Sequence, residues 1–509
     1  MTSTQLESTM TSLWRDTSRH TPGYARPQIV ADSFEPGRRF DIVVAGAGLT
    51  GLTTALLFAR AGLSVAVIEA REVGAVTTGN TTAKVSLLQG TRLSTILRHT
   101  SVRTARAYLD ANREGMEWLL RYCHDHGVPF QRRDAFSYAG TSNGATSVER
   151  EFRAAQRLGL EVTMDGADEL PYQTFGAVRL AGQAQLNPMD VLAELARDVR
   201  EHGAVIYEHT ALKDARTGDP TLVSTSRGQL LAGRLILATG IPVLDRGLYF
   251  AKLVPQRSYA LAFRVPGAVP EGMYLSVDSP TRSLRTAPVA DGVLLVVGGN
   301  GHIVGRSASP LAAVNDLQRW TEQNFPGAER THSWSAQDYQ PAGRIPFVGW
   351  LPRGGGRIFL ATGYDKWGMS NAVAASITLS ADILGGHLPW ARDLHRRVTT
   401  PADVGSFLGA NAAVAAHLVR GYAKALTSSP PVALPEAEGA VTHEGLRPVG
   451  LCRIDGDLQK VSAVCPHLGG ILSWNDAELS WDCPLHGSRF TATGSRLEGP
   501  ARRGLRQLG

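Results

Sequence analysis

The tightest constraint on this chain lies near its C-terminus, where residues 465–467 read CPH and 483–486 read CPLH. The pattern is C-x-H, fifteen intervening residues, then C-x-x-H. The chain has four cysteines, Cys123, Cys452, Cys465 and Cys483, so half of them fall here, each with a histidine beside it. Thiolates and imidazoles in one set point to a metal, and two chemistries accept them. One is an iron–sulfur centre in which two histidines replace two cysteines on one iron. The other is a Cys₂His₂ zinc site. Zinc fingers usually pair cysteine with cysteine and histidine with histidine, so one of each per loop and a C-x-H gap of one fit zinc poorly. In the iron–sulfur reading Cys465 and Cys483 bind one iron and His467 and His486 the other. Neutral histidines raise the potential of such a centre relative to all-cysteine ligation. The bland reading is an incidental Cys/His cluster in a core.

A length of 509 residues suggests roughly three domains. The balance of 43% hydrophobic and 19% charged residues excludes a mainly disordered chain. A net charge of +6 comes from 52 basic residues against 46 acidic ones, with no basic block of five or more. Nucleic acid is therefore not an expected partner, whereas an acidic redox protein stays open. Four cysteines make no secreted disulfide framework, and the N-terminal MTSTQLESTMTSLWRDTSRH lacks an apolar signal core. The run Ile42–Ala59, IVVAGAGLTGLTTALLFA, is long enough to span a membrane, but its three spaced glycines have a better use. The expectation is a soluble, cytoplasmic protein with no membrane span.

That use is in DIVVAGAGLTG, residues 41–51, where Gly46, Gly48 and Gly51 form G-x-G-x-x-G between an apolar strand and a helical stretch. Glu69 ends the next apolar strand, SVAVIE. Gly46 permits the tight turn, Gly48 lets backbone approach a pyrophosphate, and Gly51 lets helix and strand pack closely. The helix N-terminus offers free N–H groups to phosphate, and the Glu69 carboxylate suits a ribose hydroxyl. The motif points to a dinucleotide without separating FAD from NAD.

Residues 1–39 are polar and read as an N-terminal extension, with Leu13 and Trp14 placed to dock on the body. From residue 40 to about 395, strands such as Asp41–Ala45, Ser64–Glu69, Arg234–Ala238, Gly292–Gly298 and Arg357–Ala361 mix with helices, which implies an α/β body. Residues 396–439 read as an amphipathic helix over 403–426 and a proline-rich linker. In the helix Val404, Phe407, Leu408, Asn411, Val414, Leu418 and Tyr422 share a face. Residues 440–509 read as a small all-β domain with a hairpin turn at Asp455-Gly456. Ser370 or Asn371 is expected to cap a helix through Ala372–Leu384.

Residues 40 to about 390 resemble the FAD-dependent oxidoreductases related to D-amino-acid oxidase, glycine oxidase and sarcosine oxidase. The resemblance rests on VVAGAGLTG with Glu69, on LILATG (235–240) and on IFLATGYDKWGMSNAVAAS (358–376). The segment TTGNTTAKVS (77–86) points to a subgroup with a C-terminal Rieske domain. CPHLGGILSWNDAELSWDCPLHGSRFTATGSRLEGPA resembles such a domain. The implied fold is an α/β, Rossmann-like FAD-binding domain with an α+β substrate domain, plus a small all-β Rieske [2Fe-2S] domain. FAD-binding parts fall at about 40–100, 185–255 and 335–395, and substrate parts at about 100–184 and 255–335. The resemblance adds Thr81, Thr82, Lys84, Thr239, Gly240, Gly363, Gly368 and Met369 to the FAD site. For Lys84 a solvated surface lysine is the competing reading. Arg257, Tyr259, His302 and Arg344 are polar candidates for the flavin face, each with a structural role as the alternative. No catalytic acid or base is assigned. Around the cluster, the resemblance implies that Gly469, Gly470 and Gly487 let backbone N–H groups crowd the sulfurs and that Pro500 belongs to a covering loop. Gly470 and Leu485 stand where the respiratory type has a disulfide. Phe490 replaces a tyrosine while Ser488 is kept, which implies a potential below the respiratory type.

A flavin exchanges two electrons with an organic substrate and a Rieske cluster exchanges one. The expected function is oxidation of a small substrate, of the amine or amino acid class, with electrons leaving through the cluster to an external carrier protein. The reverse direction fits the motifs equally. A non-enzymatic redox sensor and a flavin-dependent monooxygenase are the alternatives. The arginine-rich tail, Arg496, Arg502, Arg503 and Arg506, is either a docking surface for an acidic protein or a solvated face.

Overall fold

The computed structural model describes residues 10–16, 21–396, 401–429 and 433–508; of residues 401–404, 406–408 and 410 it describes only the backbone. The predicted helical face at Val404, Phe407 and Leu408 therefore lies outside the described side chains. The helix itself runs Pro401–Thr427.

The glycine motif is embedded in a parallel sheet. Strand Arg39–Ala45 lies between Val65–Ile68 and Gly228–Leu237, all parallel. Val205–Tyr207 extends one side and Ile358–Thr362 the other, again in parallel. Every residue of Val65–Ile68 and of Ile358–Thr362 is buried. This is the continuous apolar run expected of parallel strands covered on both faces. Helix Leu49–Arg60 and helix Gly368–Leu384 cover one face, joined by a hydrogen bond from Thr54 Oγ1 to Ser376 Oγ (2.9 Å). A third helix, Val102–Asp125, meets the Gly368 helix at Gly115, where a Cβ would come within 2.4 Å of the Ser370 carbonyl oxygen.

A second, mostly antiparallel sheet runs in the order 329–341, 253–264, 292–303, 282–289, 273–276, 130–138, 177–186, 84–85. Its first two strands, Leu253–Arg264 and Glu329–Pro341, form a partition. Side chains alternate between faces along a strand. Ser258, Ala260, Ala336, Asp338 and Gln340 line a cavity on one face. On the other face Pro255, Arg257, Ser335 and Gln337 meet the C-terminal domain.

That domain is two small antiparallel sheets. One pairs Gly439–Glu444, Arg447–Ile454 and Asp457–Ser462, and the other pairs Ser473–Asn475, Ser480–Asp482, Arg489–Thr491 and Arg496–Glu498. The predicted Asp455-Gly456 hairpin is present, with both residues at positive φ (54° and 84°), as a two-residue hairpin turn of this kind requires. Val414 and Leu418 of the Pro401–Thr427 helix pack against this domain's core.

The interface is built from charge. Arg257 pairs with Glu478 and Glu498, and Arg489 pairs with Glu478, Asp482 and Glu498. All five side chains are at most 12% exposed. Burial opposes ionisation of Glu478, but Arg257 and Arg489 outweigh it and hold the carboxyl down to about 2. At the N-terminus Leu13 and Trp14 are buried as expected, and Trp14 Nε1 donates to the Thr81 carbonyl (2.7 Å).

Candidate functional site

The two C-terminal loops bring the four predicted ligands together as a sulfur pair and an imidazole pair. Cys465 and Cys483 share a hydrogen bond, and the rings of His467 and His486 meet edge to face at 5.2 Å. Among the described residues no three such donors converge on a single ion. A sulfur pair and an imidazole pair suit two irons with two ligands each. The donor chemistry also fits. The bond with Cys483 is the largest effect on Cys465 and, with donors from the His467 N–H and Ser488, lowers it to about 7 against burial. Burial, then His467, push His486 down to about 4, the neutral form that ligates metal.

Two expectations here are refined. The N–H groups aimed at sulfur are those of His467, Leu485 and His486, not those of the glycines. Gly469 N–H and Gly487 N–H instead donate to the carbonyls of Cys465 and Cys483 and close each loop. Gly470 serves by its size, since a Cβ there would sit 3.0 Å from Cys483 Sγ. Ser488 does reach Cys465, and Phe490 is buried.

The imidazole edge is covered by the flavin-side domain. Phe250 meets His467 at 5.0 Å and His486 at 4.9 Å, and Asp245 Oδ1 lies 3.4 Å from His467 Nε2. Both histidine side chains are about 5% exposed.

Across the partition lies a cavity of about 680 Å³. Of the predicted FAD residues, Gly46, Gly48, Glu69, Thr81, Thr82, Lys84, Thr239, Gly240, Gly368 and Met369 line it. Gly51 and Gly363 lie behind the wall. Gly51 is required because a Cβ would stand 1.8 Å from the Gly46 carbonyl oxygen. Gly363 makes a positive-φ turn against Leu253 and Pro341. Two helix N-termini open onto the cavity, at Gly48 and Trp367, and neither has a side-chain cap. Leu49 N–H at the first of them donates to Thr78 Oγ1 (3.2 Å), and the positive dipole end of each helix suits a pyrophosphate or an electron-rich ring system. Glu69 accepts from the N–H groups of Ala47 (2.8 Å) and Arg71 (2.9 Å), and burial nevertheless raises its pKa.

The structure corrects several readings. Lys84 is not a solvated surface lysine: it lines the cavity, donates to Ser283 Oγ, and burial and Arg285 lower it to about 7. Arg257 belongs to the interdomain ion cluster. Tyr259 does line the cavity, with its ring stacked on His302 at 5.6 Å, whereas Arg257 and His302 are not part of the cavity wall. Arg344 does line the cavity. Ser370 and Asn371 are not caps, because the helix begins at Gly368 and places both within its first turn, bonded to Asn112 and the Trp367 carbonyl. Arg496 is no solvated tail residue; it too lines the cavity, and Arg502 donates to the Val243 carbonyl (2.9 Å). Only Arg503 and Arg506 of that run are exposed. Cys123 is buried, which pushes its thiol up to about 12.

Sequence reasoning named Arg344 but missed its partners in a polar group at one end of the cavity. Asp365 pairs with Arg92 (2.5 Å) and Arg344 (2.8 Å). Asp338 accepts from the Lys366 N–H (2.6 Å), and burial raises it to about 6. Asp365 and Lys366 both hold positive φ without being glycine (48° and 74°), the kind of backbone strain that tertiary structure must enforce. The only sequence signal was the GYDKWGM turn itself.

A parallel-sheet dinucleotide fold, an antiparallel substrate sheet and a two-plus-two cysteine–histidine site define a flavoprotein oxidoreductase carrying a Rieske domain. The comparisons agree. The family described as FAD dependent oxidoreductase matches residues 41–381, and the Rieske [2Fe-2S] domain matches residues 433–509. The chain belongs to this FAD-dependent oxidoreductase family, is an enzyme of that class, and binds FAD and a [2Fe-2S] cluster. It is 31% identical over 478 residues to YhfW of Bacillus subtilis, named as a Rieske 2Fe-2S iron-sulfur protein, covering 92% of this chain and 93% of that one. Glycine oxidase from Geobacillus kaustophilus superposes with a TM-score of 0.58 at 18% identity, over 69% of this chain and 96% of its own. L-proline dehydrogenase from P. horikoshii gives 0.56 at 16% identity, over 70% and 96%. Among the described residues no helix is long and apolar enough to cross a membrane.

Proposed function

We propose that this enzyme oxidises a small amine or amino acid and delivers the electrons singly to an external carrier protein. The observation that carries this reading is the shared partition. Asp338 and Gln340 face the cavity, while Gln337 on the same strand donates to the Gly487 carbonyl of the second cluster loop (2.8 Å). Thr77, on the cavity side, donates to the Gln337 carbonyl (2.7 Å). One strand thus separates the two cofactor regions. Bound FAD supplies two-electron exchange with substrate and the cluster one-electron exchange.

The residues of this chain set the substrate class. Arg92, Arg344 and Lys366 outnumber Asp365 and Asp338 at the polar end, which suits a substrate carboxylate. The two aspartates position the cations: Asp365 fixes two guanidinium groups, and Asp338 holds the Lys366 turn. Asp245 and Phe250 keep water from the imidazole edge.

Anaerobic addition of amines and amino acids should bleach the flavin and then produce a Rieske-type EPR signal. In C465S the bleaching should persist and the EPR signal and one-electron acceptor reduction should vanish; unchanged acceptor turnover would end the proposal. R344A should raise KM for a carboxylate-bearing substrate by roughly 10- to 100-fold and leave that for the matching amine unchanged.

A further inference from the structure

The last strand of the Rieske domain does not stop at the domain interface. Its residues Arg496, Leu497, Glu498 and Gly499 form part of the wall of the flavin cavity, at the end where Glu69 and Arg71 also lie. Tyr339, Glu498, Arg71 and Glu69 act electrostatically on Arg496, which places it toward the Glu69 end of the cavity wall.

This arginine has no ion-pair partner among the described residues. Its one hydrogen bond runs from Nη2 to the Gly499 carbonyl (2.9 Å), and its buried Nε has none. The neighbouring Glu498 carboxylate is already shared by Arg257 and Arg489. A largely buried guanidinium without a carboxylate is costly unless an anion joins it. Burial accordingly lowers its pKa. The cavity that it faces takes a dinucleotide whose diphosphate is such an anion.

Its position is fixed by the cluster domain. Arg496 pairs with Phe490 across the strands, and Glu498 pairs with Arg489. A Cβ on Gly499 would stand 2.4 Å from Ser488 Cα, so this strand lies directly against the second cluster loop.

We propose that Arg496 is a cofactor-binding residue supplied by the Rieske domain, a cationic contact for the diphosphate-bearing adenosine half of FAD, and that the FAD site is complete only with that domain in place. The proposal rests on the FAD assignment and adds a residue outside the dinucleotide fold.

The test uses full-length protein that has been deflavinated while keeping its cluster, titrated with FAD and separately with ADP. R496A should weaken both by the same factor, roughly 10- to 100-fold. R496K should recover part of the loss, and R503A, at an exposed position, should match wild type. Iron content and the Rieske EPR signal should be unchanged in all three. FAD affinity within twofold of wild type in R496A would overturn the proposal, as would a loss for FAD with none for ADP. A loss seen only in variants whose cluster signal is also altered would overturn it too. Wild-type protein with no affinity for FAD would overturn the cofactor assignment together with it, whereas intact FAD binding in R496A overturns this proposal alone.

Discussion

The cluster loops and the flavin cavity stand on opposite faces of the same two strands, yet they handle charge in opposite ways. Around the cluster ligands the packing is apolar, with Leu472, Trp481, Leu485 and Phe490 buried together, and the sulfurs are met by backbone N–H groups and one serine. The cavity and the seam behind it are held by buried charges: Arg92 and Arg344 on Asp365, and Arg257 and Arg489 on Glu478 and Glu498. The contrast teaches that the cluster site is made by local loop geometry, whereas the cavity depends on ion pairs spanning distant segments. Breaking a spanning pair should therefore disturb the flavin side and the docking of the domains more than it disturbs the loops.

The largest effect is expected at Arg257, the arginine of this cluster that lies outside the C-terminal domain. Replacement by alanine leaves Glu478 and Glu498 buried with Arg489 alone, and should cost about 3–5 kcal/mol of stability in urea unfolding of the holoprotein. A change under about 1 kcal/mol would show that the seam is solvated in practice. The pH dependence has a defined sign. Glu478 ionises at about 2 in the folded chain against an ordinary value of 4.5, so its contribution is complete above pH 4.5 and is lost as pH falls through about 2. Domain docking followed by small-angle scattering should loosen in that window and not above it.

Lys84 tests the cavity alone. Its amine ionises at about 7 in the folded chain against an ordinary 10.5. Between these values the unfolded chain holds a proton that the folded chain does not, so stability rises with pH from about 7 to 10.5. Thermal midpoints of deflavinated K84M should lose that rise, and an unchanged profile would remove Lys84 from the buried cavity wall.

The smallest effect sharpens the cluster side. F490Y should restore one hydroxyl to the loop. A single hydrogen bond of about 1 kcal/mol corresponds to roughly 40 mV for a one-electron couple, so the potential should rise by that order. S488A should lower it similarly. A wild-type potential as high as that of the respiratory type would contradict the reading of both positions.

Much of this was legible because the chemistry is local. The Gly46, Gly48, Gly51 turn and Glu69 sit within one strand–helix–strand unit, and the Asp455-Gly456 turn needs only its own two residues at positive φ. The faces of Arg257 and His302 were not legible, because a strand's alternation does not say which side the cofactor occupies until the neighbouring layer is known. For Lys84 the surface reading stayed open beside the cofactor one, because nothing near it in sequence announces that Ser283 and Arg285 will enclose it. Ser370 read as a cap because its hydroxyl suits one, but packing against Asn112 and Gly115 draws it into the helix.

By itself the sequence determined a dinucleotide site and a cysteine–histidine metal site, since ligand spacing and turn glycines are properties of a few nearby residues whose geometry needs no distant partner; the choice of FAD came from the family resemblance. Only the tertiary structure decided that the two cofactor regions share one partition and that Arg496 crosses from one domain's strand into the other's cavity. Such contacts join segments hundreds of residues apart, and burial, which gives a charge its value, exists only after those segments have packed.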